Sequence, residues 1–119
     1  MEILYFDNAA TTAPYEQVVR TVGELMTRHY ANAAALHRSG AEAMKLVERA
    51  RANVAGLFGA KAEEVVFTSG GTEGNNYAMK GTVLASRKPT KHIVTTAVEH
   101  PSVFYCAKQL EEQGVAVTF

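Results

Sequence analysis

The sequence predicts an α/β architecture: a parallel-type sheet flanked by helices, preceded by an N-terminal arm. Two observations carry this. In the second half of the chain three short apolar runs, 65–67, 92–96 and 115–119, alternate with two longer segments of helical periodicity. Strand–helix–strand–helix–strand is the order that crossover connections impose on parallel strands. The first run also leads into Ser69-Gly70-Gly71-Thr72-Glu73, a glycine-rich turn that opens a helix.

In chain order, Ile3-Leu4-Tyr5-Phe6 is a short apolar strand or arm. It runs into Asp7-Asn8-Ala9-Ala10-Thr11-Thr12-Ala13-Pro14, rich in turn formers and small residues, with Pro14 placed to start a helix. Val18, Val22, Leu25, Met26 and His29 then lie on one helical face. A loop around Asn32 follows. A second helix is expected over 39–58, with Met44, Val47, Val54, Leu57 and Phe58 as its buried stripe. Glu42, Lys45, Glu48, Arg49 and Arg51 fall mostly on its wet side, and Gly59 stops it. Val65-Val66-Phe67 reads as a strand covered on both faces.

Beyond the glycine turn, Tyr77, Ala78 and Leu84 recur at roughly helical spacing; Gly81 weakens that helix and Pro89 closes the loop after it. The strand 92–96 leads through Glu99-His100 into a helix over 102–113, with Pro101 in the tolerated first turn and Gly114 at its end. Residues 115–119 begin a third strand. With no helix to cover that strand, the sequence reads as cut through the middle of a domain.

A helix start leaves N–H groups unpaired and carries the positive end of the dipole, so the turn at 69–72 suits a phosphate. Thr72 adds a hydroxyl donor. On the residues alone, a tight capped turn explains the pattern equally well. The stretch lacks the Gly-Lys-Ser/Thr ending of a nucleotide P-loop and the glycine spacing of a dinucleotide fingerprint, which disfavours a nucleotide triphosphatase. In parallel sheets ligands gather at the carboxyl ends of strands. The 69–72 turn and Glu99-His100 both fall at such ends, on neighbouring connections, which argues for one site. On the residues alone, His100 is a surface or capping histidine.

Composition sets the outer bounds. The 119 residues suffice for one domain with a real core. Twelve basic residues balance twelve acidic ones, so nothing calls for nucleic acid or an anionic membrane surface. No apolar run approaches a membrane span, and the first apolar segment is too short for a signal peptide. The lone Cys106 reads as a packed helix thiol in a reducing compartment, with the cytoplasm as the default. His29 and His92 lack partners at metal-ligand spacing and read as structural, so no metal is expected.

Three stretches together resemble the start of the cysteine desulfurase family: Tyr5-Phe6-Asp7-Asn8-Ala9-Ala10-Thr11-Thr12, Val66-Phe67-Thr68-Ser69-Gly70-Gly71-Thr72-Glu73-Gly74-Asn75-Asn76, and Glu99-His100. These are pyridoxal-phosphate (PLP) enzymes of the class V aminotransferase superfamily, with the type I fold. The resemblance implies an arm over 1–14 and the N-terminal part of the PLP-binding large domain over 15–119. It implies pyridoxal 5′-phosphate as cofactor, not covalently bound by this chain alone, with Gly71 and Thr72 cradling its phosphate. It implies His100 as the catalytic residue whose ring stacks on the cofactor. Asn8, Ala9 and Asn32 would approach the substrate, although on the residues alone 7–12 is equally a simple turn. Where many relatives carry Asn-Pro-Ser-Ser-x-His, this chain reads Asn32-Ala33-Ala34-Ala35-Leu36-His37, without the proline and serines.

By the same resemblance the substrate is L-cysteine, converted to L-alanine through a persulfide. The sulfur acceptor is a protein such as an iron–sulfur scaffold, and the full-length enzyme is a homodimer. The family's Schiff-base lysine, its acidic partner for the pyridine nitrogen and its nucleophilic cysteine all lie beyond residue 119. None of Lys45, Lys61, Lys80, Lys88, Lys91 and Lys108 has the family context, and Cys106 does not match the nucleophile. The chain alone is therefore expected to be inactive. A non-catalytic remnant or interaction module of the same fold, a selenocysteine lyase and a class V aminotransferase are the alternative readings.

Overall fold

The computed structural model describes residues 4–119. Helices α1 (Glu16–Arg28) and α2 (Arg38–Leu57) are followed by a 3₁₀ turn (Ala62–Glu64), helix α3 (Gly71–Ala85), strand β1 (His92–Val94), helix α4 (Pro101–Glu112) and strand β2 (Ala116–Thr118). The chain divides into two compact units, one through Val65 and one spanning Val66–Phe119. Ile3 lies outside the described residues; Leu4, Tyr5 and Phe6 are exposed and form no strand.

In the first unit, α1 carries Glu16–Arg20 and Glu24–Arg28 pairs at 3.1 and 3.6 Å, one helical turn apart. The apolar face expected from periodicity is present, but none of its residues is buried. Helix α2 opens at His37, whose Nδ1 accepts from the Gly40 N–H at 3.2 Å. Its buried positions are Gly40, Ala43 and Ala55. This corrects the expected stripe, since Leu57 and Phe58 are 82% and 81% exposed. Backbone packs against this helix: a Cβ on Gly40 would lie 2.2 Å from the Ala35 carbonyl oxygen. Such close approach admits only small residues. Arg51 bonds Glu48 and donates to the Val65 carbonyl. Gly59, at φ +62, ends the segment as expected.

Among the described residues the expected strand at 65–67 is absent. Val65 is extended, at φ −98 and ψ 122, but among the described residues it joins neither β1 nor β2. Its carbonyl is taken by Arg51, and Val66 and Phe67 remain half exposed.

In the second unit β1 and β2 pair in parallel with His92, Ile93 and Val94 opposite Ala116, Val117 and Thr118, joined through α4. His92 Nε2 meets Thr118 Oγ1 at 2.8 Å, a structural role across the ladder. Val83 of α3, Cys106 and Leu110 of α4, and Val115 make the core, with Met79 and Ile93 packed against it. Cys106 is thus a buried thiol. Gly114, at φ +89, turns the chain from α4 into β2. Among the described residues no helix is long and apolar enough to cross a membrane.

Candidate functional site

Helix α3 begins without a side-chain cap: Gly70 occupies the N-cap position. The first N–H to bond back along the helix is that of Gly74, to the Gly70 carbonyl at 3.0 Å. Among the described residues the N–H groups of Gly71, Thr72 and Glu73, and the Thr72 hydroxyl, have no acceptor. A Cβ on Gly71 would meet nothing within 4 Å, so no neighbouring atom crowds that position. The turn before them is held by Glu73, whose Oε2 accepts from both the Ser69 N–H and the Ser69 hydroxyl at 2.6 Å. The Ser69 hydroxyl, then the Ser69 amide, hold the Glu73 carboxyl below its ordinary pKa.

Helix α4 begins beside it. Pro101 takes the first helical position and His100 the N-cap. His100 Nδ1 lies 3.2 Å from the Ser102 N–H and 2.8 Å from Ser102 Oγ. Asn75 Nδ2 donates to Ser102 Oγ at 2.9 Å. Asn76 Nδ2 bonds the Thr72 carbonyl at 3.0 Å and reaches the Ser102 carbonyl at 3.5 Å. Two asparagines on the first turns of α3 thereby tie the two helix starts together.

Between them lies a cleft of about 360 Å³, lined by Thr72, Asn76, His100, Ser102, Tyr105 and Gln109 among others. A larger hollow of about 690 Å³, beside Met79, Val83 and Ile93, contains neither helix start. The smaller cleft is therefore the one that both helix starts border.

Of the residues singled out in the sequence, Gly71, Thr72 and His100 fall in this one unit, with Thr72 and His100 lining the cleft. His100 is also a capping residue, as its residue type and position alone suggested. Asn8, Ala9 and Asn32 belong to the first unit. Asn8 Nδ2 bonds the Tyr5 carbonyl at 3.4 Å, Ala9 lies in the turn closed by Ala10 N–H to the Asp7 carbonyl, and Asn32 Oδ1 accepts from the Ala34 N–H at 2.9 Å. Asn75 and Asn76 lie in the stretch that carries the resemblance but have no site role in the sequence reading, and neither does Ser102. The signal for them was spacing: Asn75 and Asn76 follow Thr72 by three and four residues, one turn along the same helix. Among the described residues no group of three metal-ligating side chains occurs.

A parallel βαβ unit with two helix starts bordering one cleft defines an α/β protein. The family model described as "Aminotransferase class-V" matches residues 4–119, and the chain belongs to that family. A cysteine desulfurase of Trichormus azollae is 44% identical over 119 residues, covering 100% of this chain and 30% of the relative. The cysteine desulfurase IscS of Methanosarcina thermophila is 38% identical over 116 residues, covering 98% and 29%. Among solved structures, a NifS-like protein superposes with a TM-score of 0.88 at 34% identity, covering 98% of this chain and 32% of its own. A structure titled "SspA in complex with cysteine" gives 0.84 at 33% identity, covering 97% and 33%. The chain thus spans about a third of the length of these proteins.

Proposed function

We propose that this chain is the N-terminal part of a PLP-dependent cysteine desulfurase, which converts L-cysteine to L-alanine and passes the sulfur to an acceptor protein such as an iron–sulfur scaffold. The whole enzyme works as a homodimer in the cytoplasm, with residues 1–14 as its arm and 15–119 as the start of its large domain. The observation that carries this reading is the sharing of one cleft by His100 and Thr72, at the helix start whose first N–H groups lack acceptors. The kinship with cysteine desulfurases and the cysteine bound to SspA support it.

The residues present fit the cofactor. Three N–H groups and a hydroxyl without acceptors among the described residues match the oxygens of a phosphate ester. Pyridoxal phosphate, when bound, supplies an electron sink for bonds at the amino acid's α-carbon. Gly71 and Thr72 hold the phosphate through their N–H groups and the Thr72 hydroxyl. Glu73 keeps the turn in shape, because its Oε2 is engaged by Ser69. His100 supplies a flat imidazole and a ring nitrogen, Nε2, without a partner among the described residues, suited to hold or move a proton. Asn8, Ala9 and Asn32 approach the substrate in the complete enzyme.

The test is alanine release from L-cysteine with pyridoxal phosphate, by this chain and by the protein extended through the family's lysine and cysteine. The chain alone is expected to release none, and the extended protein to release alanine. In the extended protein His100→Ala is expected to slow turnover by about a hundredfold or more. Wild-type turnover in that variant would remove the assignment.

A further inference from the structure

We infer that Asn75 and Ser102 are positioning residues that lock His100 as the Nε2–H tautomer. One donor in this row has no choice of direction. A backbone N–H can only donate, and that of Ser102 points to His100 Nδ1 at 3.2 Å. Nδ1 therefore carries a lone pair; the Nδ1–H tautomer would set donor against donor. Ser102 Oγ lies 2.8 Å from the same nitrogen and must give it its single proton. The hydroxyl oxygen is left with lone pairs alone, and Asn75 Nδ2 donates to it at 2.9 Å. Every proton in the row Asn75–Ser102–His100 then has one direction. Asn75 and Ser102 are both half-buried, which limits competition from water.

The consequence concerns the cleft. With Nδ1 committed to the cap, the edge of the ring left to meet a ligand is Nε2–H. The use of that edge on a cofactor or substrate rests on the function proposed above; the tautomer does not.

The experiment is long-range ¹H–¹⁵N NMR of the His100 ring in this chain, at a pH where the ring is neutral. Nδ1 is expected at the shift of an unprotonated nitrogen and Nε2 at that of a protonated one. Ser102→Ala removes the hydroxyl and keeps the backbone N–H, and should lower the ratio of Nε2–H to Nδ1–H tautomer roughly three- to tenfold. Ser102→Thr should restore it, and Asn75→Ala should give an intermediate ratio. A proton on Nδ1 in the unsubstituted chain overturns the inference, as does an unchanged ratio in both Ser102→Ala and Asn75→Ala. Should Ser102→Ala fail to fold, the unsubstituted ring and Asn75→Ala decide. Adding pyridoxal phosphate to the extended protein separates the two claims. A locked tautomer without cofactor retention removes the function and leaves the row. Retention with a mixed tautomer removes the row alone.

Discussion

Thr72 does two jobs at different ends of its backbone. Its carbonyl accepts from Asn76 and so belongs to the tie between helices, while its N–H and hydroxyl stay without acceptors among the described residues. Thr72→Val keeps the branched shape and the backbone donor and removes the hydroxyl alone. Hydrogen bonds to charged groups are the stronger kind, so pyridoxal phosphate retention by the extended protein should fall roughly tenfold or more, with far-ultraviolet dichroism unchanged. Retention at the wild-type level in a cofactor titration would show that the hydroxyl does not hold the phosphate. Glu73 carries a pH dependence. Its folded pKa is depressed below the ordinary 4.5, chiefly by the Ser69 hydroxyl and then by the Ser69 amide. Its contribution to stability is therefore present above the unfolded pKa and is lost as pH falls through the folded one. Thermal midpoints across the acid limb should fall less steeply for Glu73→Gln than for the unsubstituted chain. Equal slopes would mean that the Ser69 bonds do not distinguish the charged form.

At the scale of elements, α2 offers a controlled comparison within one helix. Alanine is a better helix former than glycine by about 1 kcal/mol, so a glycine in a helix with open space beside it is a site for improvement. Gly56 is such a position, where an added Cβ would meet nothing within 4 Å, and Gly40 is its opposite, facing the Ala35 carbonyl at 2.2 Å. Gly56→Ala should stabilise the unit by up to about 1 kcal/mol. Gly40→Ala should destabilise it by about 1–3 kcal/mol, because backbone rather than a flexible side chain must give way. Denaturant titration of both variants tests the sign at each site. The same helix shows what was legible in the sequence. Its existence and ends follow from local signals, periodicity and Gly59, and these needed no knowledge of partners. Its buried face did not: small residues, Gly40, Ala43 and Ala55, are buried while the larger Leu57 and Phe58 stay exposed, and at Gly40 it is the nearby Ala35 backbone that demands a small residue. The segment 65–67 failed for a related reason. Apolar β-formers report the extended conformation of Val65, whereas a ladder depends on a partner distant in sequence. The cleft was legible in part: glycines and His100 stood out by type, while Asn75 and Ser102 matter only through their mutual distance of 2.9 Å.

Over the whole molecule the interior is small. Ala43 and Ala55 in the first unit, and Val83, Cys106, Ala107, Leu110 and Val115 in the second, are its buried apolar residues among those described. Large side chains such as Phe6, Phe58 and Val98 remain exposed. Apolar composition alone therefore says little about which residues hold the fold, and burial has to be tested directly. Leu110 and Leu84 provide that test, since both lie in helices of the second unit and are 2% and 76% exposed. Leu110 packs with Val83, Cys106 and Val115, so Leu110→Ala removes buried methyls from the centre of the cluster. A loss of about 2–5 kcal/mol is expected, large enough against a core of this size to collapse amide-exchange protection in α3 and α4 together. Leu84→Ala should stay within about 0.5 kcal/mol of the unsubstituted chain and leave protection intact, because its side chain leaves little water behind on folding. Hydrogen exchange followed residue by residue reads both variants even where the first is largely unfolded. Equal loss of protection in the two would mean that α3 and α4 are not held together by the Val83–Leu110 cluster, and the cleft that depends on their adjacent starts would lose its foundation.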